Sequence, residues 1–252
     1  MAAANQQRPL RLAFRVDSAP LIGLGHLMRC LALADTLRAR GHHCQFICRA
    51  HAGAYLQPLQ RSGHPFSLLP PPAQPLAADT PSCDWLATSI AADVDDCCGQ
   101  LTLAPDWLIV DHYAIDQRWH QHFRQRFPAS RILAIDDLAD RPLAAELLLD
   151  QTVGISAARY RGLVPSGCQL LLGSPFMLLR PEFSQWRQRA LGRRHAHPVQ
   201  RLLLSLGGTD PAGLTLPLLQ QLLAHPVCQQ LQFDVLLSSS APALVALRQF
   251  CQ

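Results

Sequence analysis

The 252-residue chain contains no lysine; all 22 of its Lys+Arg positions are arginine. A Walker-type phosphate loop is therefore excluded, because that loop needs a Lys on the phosphates. Charged residues make up only 16% and the formal net charge is +4. So small and scattered an excess argues against nucleic acid as a partner, while arginine itself suits phosphate and carboxylate groups. No window approaches the ~20 consecutive apolar residues of a membrane span. The opening Met-Ala-Ala-Ala-Asn-Gln-Gln-Arg has no apolar stretch for a signal peptide. No membrane partner is expected, and the location read from this is cytoplasmic. The nine cysteines are odd in number and no pair has the C-x-x-C spacing. They read as reduced and mostly buried. The histidine pairs His42-His43, His120-x-His122 and His195-x-His197 lack acidic or cysteine partners at matching spacing, so no metal is expected.

What is present is an alternation of short apolar runs with amphipathic helices. Residues 10–16 read as a buried strand broken by Gly23 and Gly25. From His26 to Arg40 the apolar positions Leu27, Leu31, Ala34 and Leu37 fall at helical spacing, and Gly41 ends the helix. Strands follow at 44–48, 66–69, 106–110 and 131–135, with short apolar runs at 146–149 and 169–172. Helices are predicted over 53–62, 84–98, 116–127 and 181–191. Residues 192–199 read as a linker. The pattern then restarts with a strand at 201–206, a glycine turn, a helix over 212–224, a strand at 231–237 and a helix over 241–249. Such alternation implies α/β architecture with parallel strands and right-handed crossovers. It predicts an N-terminal Rossmann-like domain over 1–191 and a partial nucleotide-binding domain over 200–252. Two strands are few for an independent doubly wound domain, so the second domain is expected to be buried by the first or to be truncated.

In open α/β sheets ligands bind beyond the carboxyl ends of the strands. Four candidate sites lie at such ends. Gly23-Leu-Gly25-His26 opens a helix, whose positive end predicts a neutral imidazole able to accept a proton; on local pattern alone a plain packing turn is the commoner meaning. Gly207-Gly208-Thr209-Asp210 follows a strand and could hold a phosphate on backbone amides, or be an ordinary turn with Thr209 or Asp210 as helix cap. Asp111-His112-Tyr113 ends a buried strand with three hydrogen-bonding side chains, and Tyr113 either meets a substrate or packs under the sheet edge. Asp136-Asp137 could accept bonds from sugar hydroxyls or amides, or cap a helix.

Taken in order, Arg15-x-Asp17-Ser18, Ile22-Gly23-x-Gly25-His26-x-x-Arg29, Asp111-His112-Tyr113, Asp136-Asp137, Tyr160-x-Gly162-Leu163-Val164-Pro165, Leu179-Arg180-x-Glu182-Phe183 and Ser205-x-Gly207-Gly208-Thr209-Asp210 resemble a known family. It is that of the UDP-2,4-diacetamido-2,4,6-trideoxy-β-L-altropyranose hydrolases of pseudaminic acid biosynthesis. The resemblance implies a GT-B-like fold, two Rossmann-like domains facing across a cleft. It implies hydrolysis of a UDP-linked diacetamido sugar at the anomeric carbon, with no cofactor and no metal. By resemblance His26 is the catalytic base and Tyr113 an active-site tyrosine. Asp17, Gly23, Gly25, Arg29, Asp111 and Asp137 are expected around the sugar, and Gly207, Gly208, Thr209 and Asp210 on the nucleotide. The family's later nucleotide-gripping segment has no counterpart before Gln252.

A GT-B glycosyltransferase and a non-catalytic nucleotide-sugar-binding remnant are the competing functions. A dinucleotide-binding dehydrogenase ranks below both, because Met28 stands where the G-x-G-x-x-G series needs its last glycine.

Overall fold

The strand β1 (Arg11–Val16) sends successive side chains to opposite faces of a sheet, and this period of two organises the first part of the molecule. Leu12, Phe14 and Val16 pack on one face against Leu27, Cys30, Leu31 and Ala34 of helix α1 (Gly25–Ala39). Ala13 faces the other way, towards Val94 and Cys97 of α3 (Ile90–Gly99) and Trp119 and Phe123 of α4 (Gln117–Arg126). A strand buried on both faces reads as an unbroken apolar run, which is why β1 is legible in the sequence. The computed structural model describes residues 8–194, 198–208, 210, 212–238 and 241–251. The His195-x-His197 pair and Thr209 lie outside the described residues.

Six further strands join β1: β2 (His43–Arg49), β3 (Phe66–Leu69), β4 (Trp107–Asp111), β5 (Arg131–Ile135), β6 (Leu147–Asp150) and β7 (Gln169–Leu172). Their order is β3-β2-β1-β4-β5-β6-β7 and every pairing is parallel. The short helix α2 (Gln57–Ser62) adds Leu59 to the α1 face. The chain winds outwards from β1 to β3, then returns to lay β4 on the other side of β1. That reversal is the switch point at which open α/β sheets bind ligands, and the loops after β1 and β4 lie on either side of it.

The chain divides between Pro181 and Glu182 into two compact units. The second holds most of α5 (Pro181–Arg194), then β8 (Arg201–Leu204), α6 (Thr215–Ala224), β9 (Gln232–Val235) and α7 (Leu244–Phe250). β8 and β9 pair in parallel, and Leu204, Leu219 and Leu247 form their core with Phe233 and Val235 packed against it.

Four predicted helices start several residues later than the sequence pattern suggested; those expected from 53 and 241 begin at Gln57 and Leu244. The helix expected over 84–98 begins at Ile90, because Ser89 is extended and its hydroxyl accepts the Ala92 N–H. The helix expected over 212–224 begins at Thr215, behind a left-handed Gly213 and a carboxylate cap from Asp210. All nine cysteines are free thiols; Cys30, Cys44, Cys48, Cys97 and Cys98 are buried, and Cys83 and Cys251 are exposed. No helix among the described residues is long and apolar enough to cross a membrane.

Candidate active site

Strand parity decides which polar residues meet at the switch point. On β4, Ile109 faces the α1 side of the sheet, so Asp111 two residues on faces it too. There Asp111 meets the first turns of α1. Its Oδ1 lies 2.6 Å from Nδ1 of His26, and its two oxygens accept from Nη2 and Nε of Arg29, each at 2.6 Å. The Cys30 thiol, on the next turn, donates to Oδ2 at 3.6 Å. Burial alone would push the Asp111 carboxyl up; the His26 ring and the Arg29 guanidinium outweigh it and hold it down at about 2. A carboxylate can only accept, so Nδ1 of His26 carries a proton, and in the neutral ring Nε2 is then the acceptor.

The same parity on β5 carries Leu133 and Ile135 to the α1 side, and Asp137 continues that row. Asp137 accepts the Tyr113 hydroxyl at 2.6 Å and Nη1 of Arg29 at 3.3 Å. The Tyr113 ring packs edge-on against His26, with centroids 4.7 Å apart, and Trp85 lies against its other side at 5.6 Å. Burial, then the bond to Asp137, pushes the Tyr113 hydroxyl far above its ordinary range, so it keeps its proton. His26, Arg29, Asp111, Tyr113 and Asp137 thus form one connected cluster. Gly23, with φ +84, makes the turn into α1 and closes it through an N–H bond to the Ala19 carbonyl at 2.7 Å. No side chain caps the start of α1. Gly25 has an ordinary φ, and a Cβ there would meet nothing within 4 Å. Neither conformation nor packing therefore demands a glycine at 25.

Asp17, expected from the sequence around the sugar, does not join this cluster. It falls on the opposite parity, 0% exposed, on the α3 face. There it accepts Nη1 of Arg15 at 2.5 Å and the backbone N–H of Arg49 at 2.6 Å, and Nε2 of His112 stands 3.1 Å from its Oδ2. Arg15 and Arg49 also bind Asp93 of α3, which takes the Trp119 indole N–H at 2.9 Å. Asp17 therefore belongs to a buried charge network beneath the site. Asp136, also on that face, is bound by Tyr160 at 3.2 Å and by the Ala139 N–H at 2.9 Å.

In the second unit Gly207 is left-handed at φ +93, and Gly208 accepts the Ser238 N–H through its carbonyl at 2.7 Å. Asp210 is buried and its carboxylate accepts the Leu214 and Thr215 N–H groups at 3.0 and 2.8 Å. Those amides are occupied by the protein's own carboxylate, so Asp210 serves as the helix cap and is not free to meet a nucleotide through them. Among the described residues no group of three or more His, Cys, Asp or Glu is placed to hold a metal ion.

The sequence reading missed the partnership of Asp111 with His26, and it missed Asp93, Arg49 and Trp85 altogether. Strand parity carries the first of these. Asp93 carries a fainter signal, an acid on the otherwise apolar face of α3.

The chain as a whole is similar to known proteins. The chain is 25% identical over 243 residues to the UDP-2,4-diacetamido-2,4,6-trideoxy-β-L-altropyranose hydrolase of Campylobacter jejuni subsp. jejuni serotype O:2, spanning 96% of this chain and 75% of that protein. The likeness is thus not confined to one motif. No protein-family model matches. Among solved structures, Arabidopsis thaliana UGT89C1, crystallised with UDP-L-rhamnose, aligns over 95% of this chain and 72% of its own at 12% identity and a TM-score of 0.52. The fold is of the GT-B type. A glycosyltransferase from Rickettsia africae ESF-5 aligns over 93% of this chain and 69% of its own, at 10% identity and a TM-score of 0.46.

Proposed function

We propose that this protein hydrolyses a UDP-linked 2,4-diacetamido-2,4,6-trideoxy sugar at its anomeric carbon, releasing UDP and the free sugar, as a step of pseudaminic acid biosynthesis. The observation that carries the reading is the 2.6 Å contact of His26 Nδ1 with the buried Asp111 at the sheet's switch point. The similarity to the Campylobacter hydrolase supports the choice of substrate.

Asp111 fixes the ring and stays ionised, so Nε2 of His26 accepts a proton from water as that water attacks. The water oxygen bonds to the anomeric carbon. The bond from that carbon to the diphosphate oxygen breaks, and its electron pair leaves with UDP. Charge builds as a partial oxocarbenium on the ring and a negative charge on the departing diphosphate. UDP is a good leaving anion, so no strong general acid is required. The Asp111 carboxylate stabilises the imidazolium that forms, as in other acid-oriented histidine bases. Tyr113 keeps its proton on Asp137 and forms the aromatic wall beside the base. One displacement by water inverts the anomeric centre. By the same resemblance, Gly207 and Gly208 are the proposed contacts to the nucleotide.

A transferase would use the same base on an acceptor hydroxyl, and the shared fold with UGT89C1 favours keeping that second reading. Free sugar formed without any acceptor separates the two. Turnover in ¹⁸O-water should place the label on the sugar and none on UDP. His26→Asn should lower kcat by ~10²–10⁴ while UDP still binds, and an unchanged rate removes His26 from the role.

A further inference from the structure

The resemblance put Arg29 against the sugar, but the structure commits its guanidinium to the protein. Nε and Nη2 hold the two oxygens of Asp111, and Nη1 reaches Asp137. The same Nη2 lies 3.2 Å from Nδ1 of His26. Arg29 therefore touches both members of the His26–Asp111 pair, three residues along α1 from the histidine. It shares the oxygen, Oδ1, that the imidazole uses.

We propose that Arg29 is a positioning residue that sets the pH range in which His26 can act as a base, by opposing the charge of Asp111 and disfavouring the imidazolium. An isolated buried carboxylate 2.6 Å from the ring would stabilise the protonated ring and make His26 useless as a base until higher pH. A fixed positive charge on that carboxylate cancels much of this pull. It also meets the imidazolium as a like charge. The effect survives salt, because Asp111 is buried and the Arg29 side chain is only 11% exposed. The charged and titratable groups around the ring are few. They are Arg29 and Cys30 on α1, Asp111 at the end of β4, Tyr113 in the loop after it, and Asp137 beyond β5. Tyr113 and Cys30 are both held in their neutral forms by burial, so they add no opposing charge. Asp137 is the one other anion, and Nη1 of Arg29 meets it too. The Arg29 guanidinium is thus the sole fixed cation among the described residues touching this pair.

The inference rests on the reading of His26 as a base. Its test is chosen to report separately from that reading: ring titration by NMR needs no substrate. With the resonances of His26 assigned by their loss in His26→Gln, the titration midpoint of the ring is followed in the full chain and in three variants. Arg29→Met removes the cation and should raise the midpoint by about 1–3 pH units. Arg29→Lys keeps a cation and should restore most of that shift. Asp111→Asn removes the anion instead and should move the midpoint down. If the sugar hydrolysis also holds, the acid limb of the kcat/KM profile moves with the ring. A midpoint in Arg29→Met within 0.3 units of wild type, roughly the error of such a titration and far below the expected shift, overturns the proposal whatever the activity. Should Arg29→Met fail to fold, Arg29→Gln, which can still bond Asp111, carries the same prediction and the same overturning result. Loss of hydrolysis with the expected titration shifts would sink the proposed reaction and leave the role of Arg29 standing.

Discussion

Nε2 of His112 stands 3.1 Å from Oδ2 of Asp17, with both side chains sealed from solvent. Nδ1 of the same ring accepts the Ala114 N–H at 3.1 Å, which places the proton on the nitrogen facing Asp17. This pair links the loop after β1, which leads into His26, to the loop after β4, which carries Asp111 and Tyr113. Below it, Arg15 and Arg49 join Asp17 to Asp93. The His26–Asp111 cluster on one face of the sheet is therefore braced by an ionic network on the other.

Removing Asp17 strands Arg15 with Asp93 alone in the interior and frees the His112 ring. Breaking one partner out of a buried ionic network costs about 3–5 kcal/mol. Asp17→Ala should lose stability of that order in urea unfolding without touching any ligand-facing group. A loss under ~1 kcal/mol would mean the network is not the brace described here.

Gly25→Ala separates folding from binding. Nothing within 4 Å opposes a methyl group there and the backbone is not left-handed. Ala in a helix is better than Gly by roughly 0.5–1 kcal/mol, so stability should rise or stay level. If a substrate approaches that backbone, KM should rise several-fold while the thermal midpoint does not fall. Unaltered KM would remove Gly25 from the site.

Acid should weaken the fold in two separate windows. Burial holds the His120 ring down at about 3, helped by Arg124 and Arg141, and burial also lowers His112. For a histidine lowered on folding, the unfolded chain takes up the proton first. Stability is then complete above the ordinary histidine value of ~6.5 and is lost as pH falls from there. Each such ring contributes a slope of up to about 1.4 kcal/mol per pH unit. Asp111, held at about 2, contributes stability that is present above the ordinary carboxylate value and lost only as pH falls towards 2. His120→Asn keeps an acceptor for the Ala144 N–H and removes the titration. Unfolding free energies between pH 6.5 and 4 should therefore be flatter in the variant than in wild type, by a margin of the order just given. Parallel curves would assign the acid sensitivity elsewhere.

The parallel sheet was legible because its central strands are buried on both faces, so each appears as a short apolar run between helical patterns. The turn at Gly23 and the start of α1 near His26 were legible for the same reason a glycine turn usually is: φ +84 is open to few other residues. What the runs conceal is which face each end residue takes. Asp17 and Asp111 look alike as acids ending strands. Only the count from Val16 and from Ile109 sends one down to Arg15 and the other up to His26. The segment around Trp85 lay hidden because its apolar content imitates a helix, while Ala87, at φ +53, breaks it. Asp210 carried two meanings in sequence, ligand contact or cap, and the Thr215 N–H takes it as a cap.

The distribution of thiols has a practical outcome. Burial keeps Cys30, Cys48 and Cys97 protonated well above ordinary thiol values and pushes Cys44 and Cys98 up to about 11, so these five are poor nucleophiles towards maleimides. Cys83 and Cys251 are open to solvent, one in each unit. With the half-buried Cys168 and Cys228 changed to serine, a donor and an acceptor dye would attach at just those two places. Labelling there would leave the interior thiols unmodified.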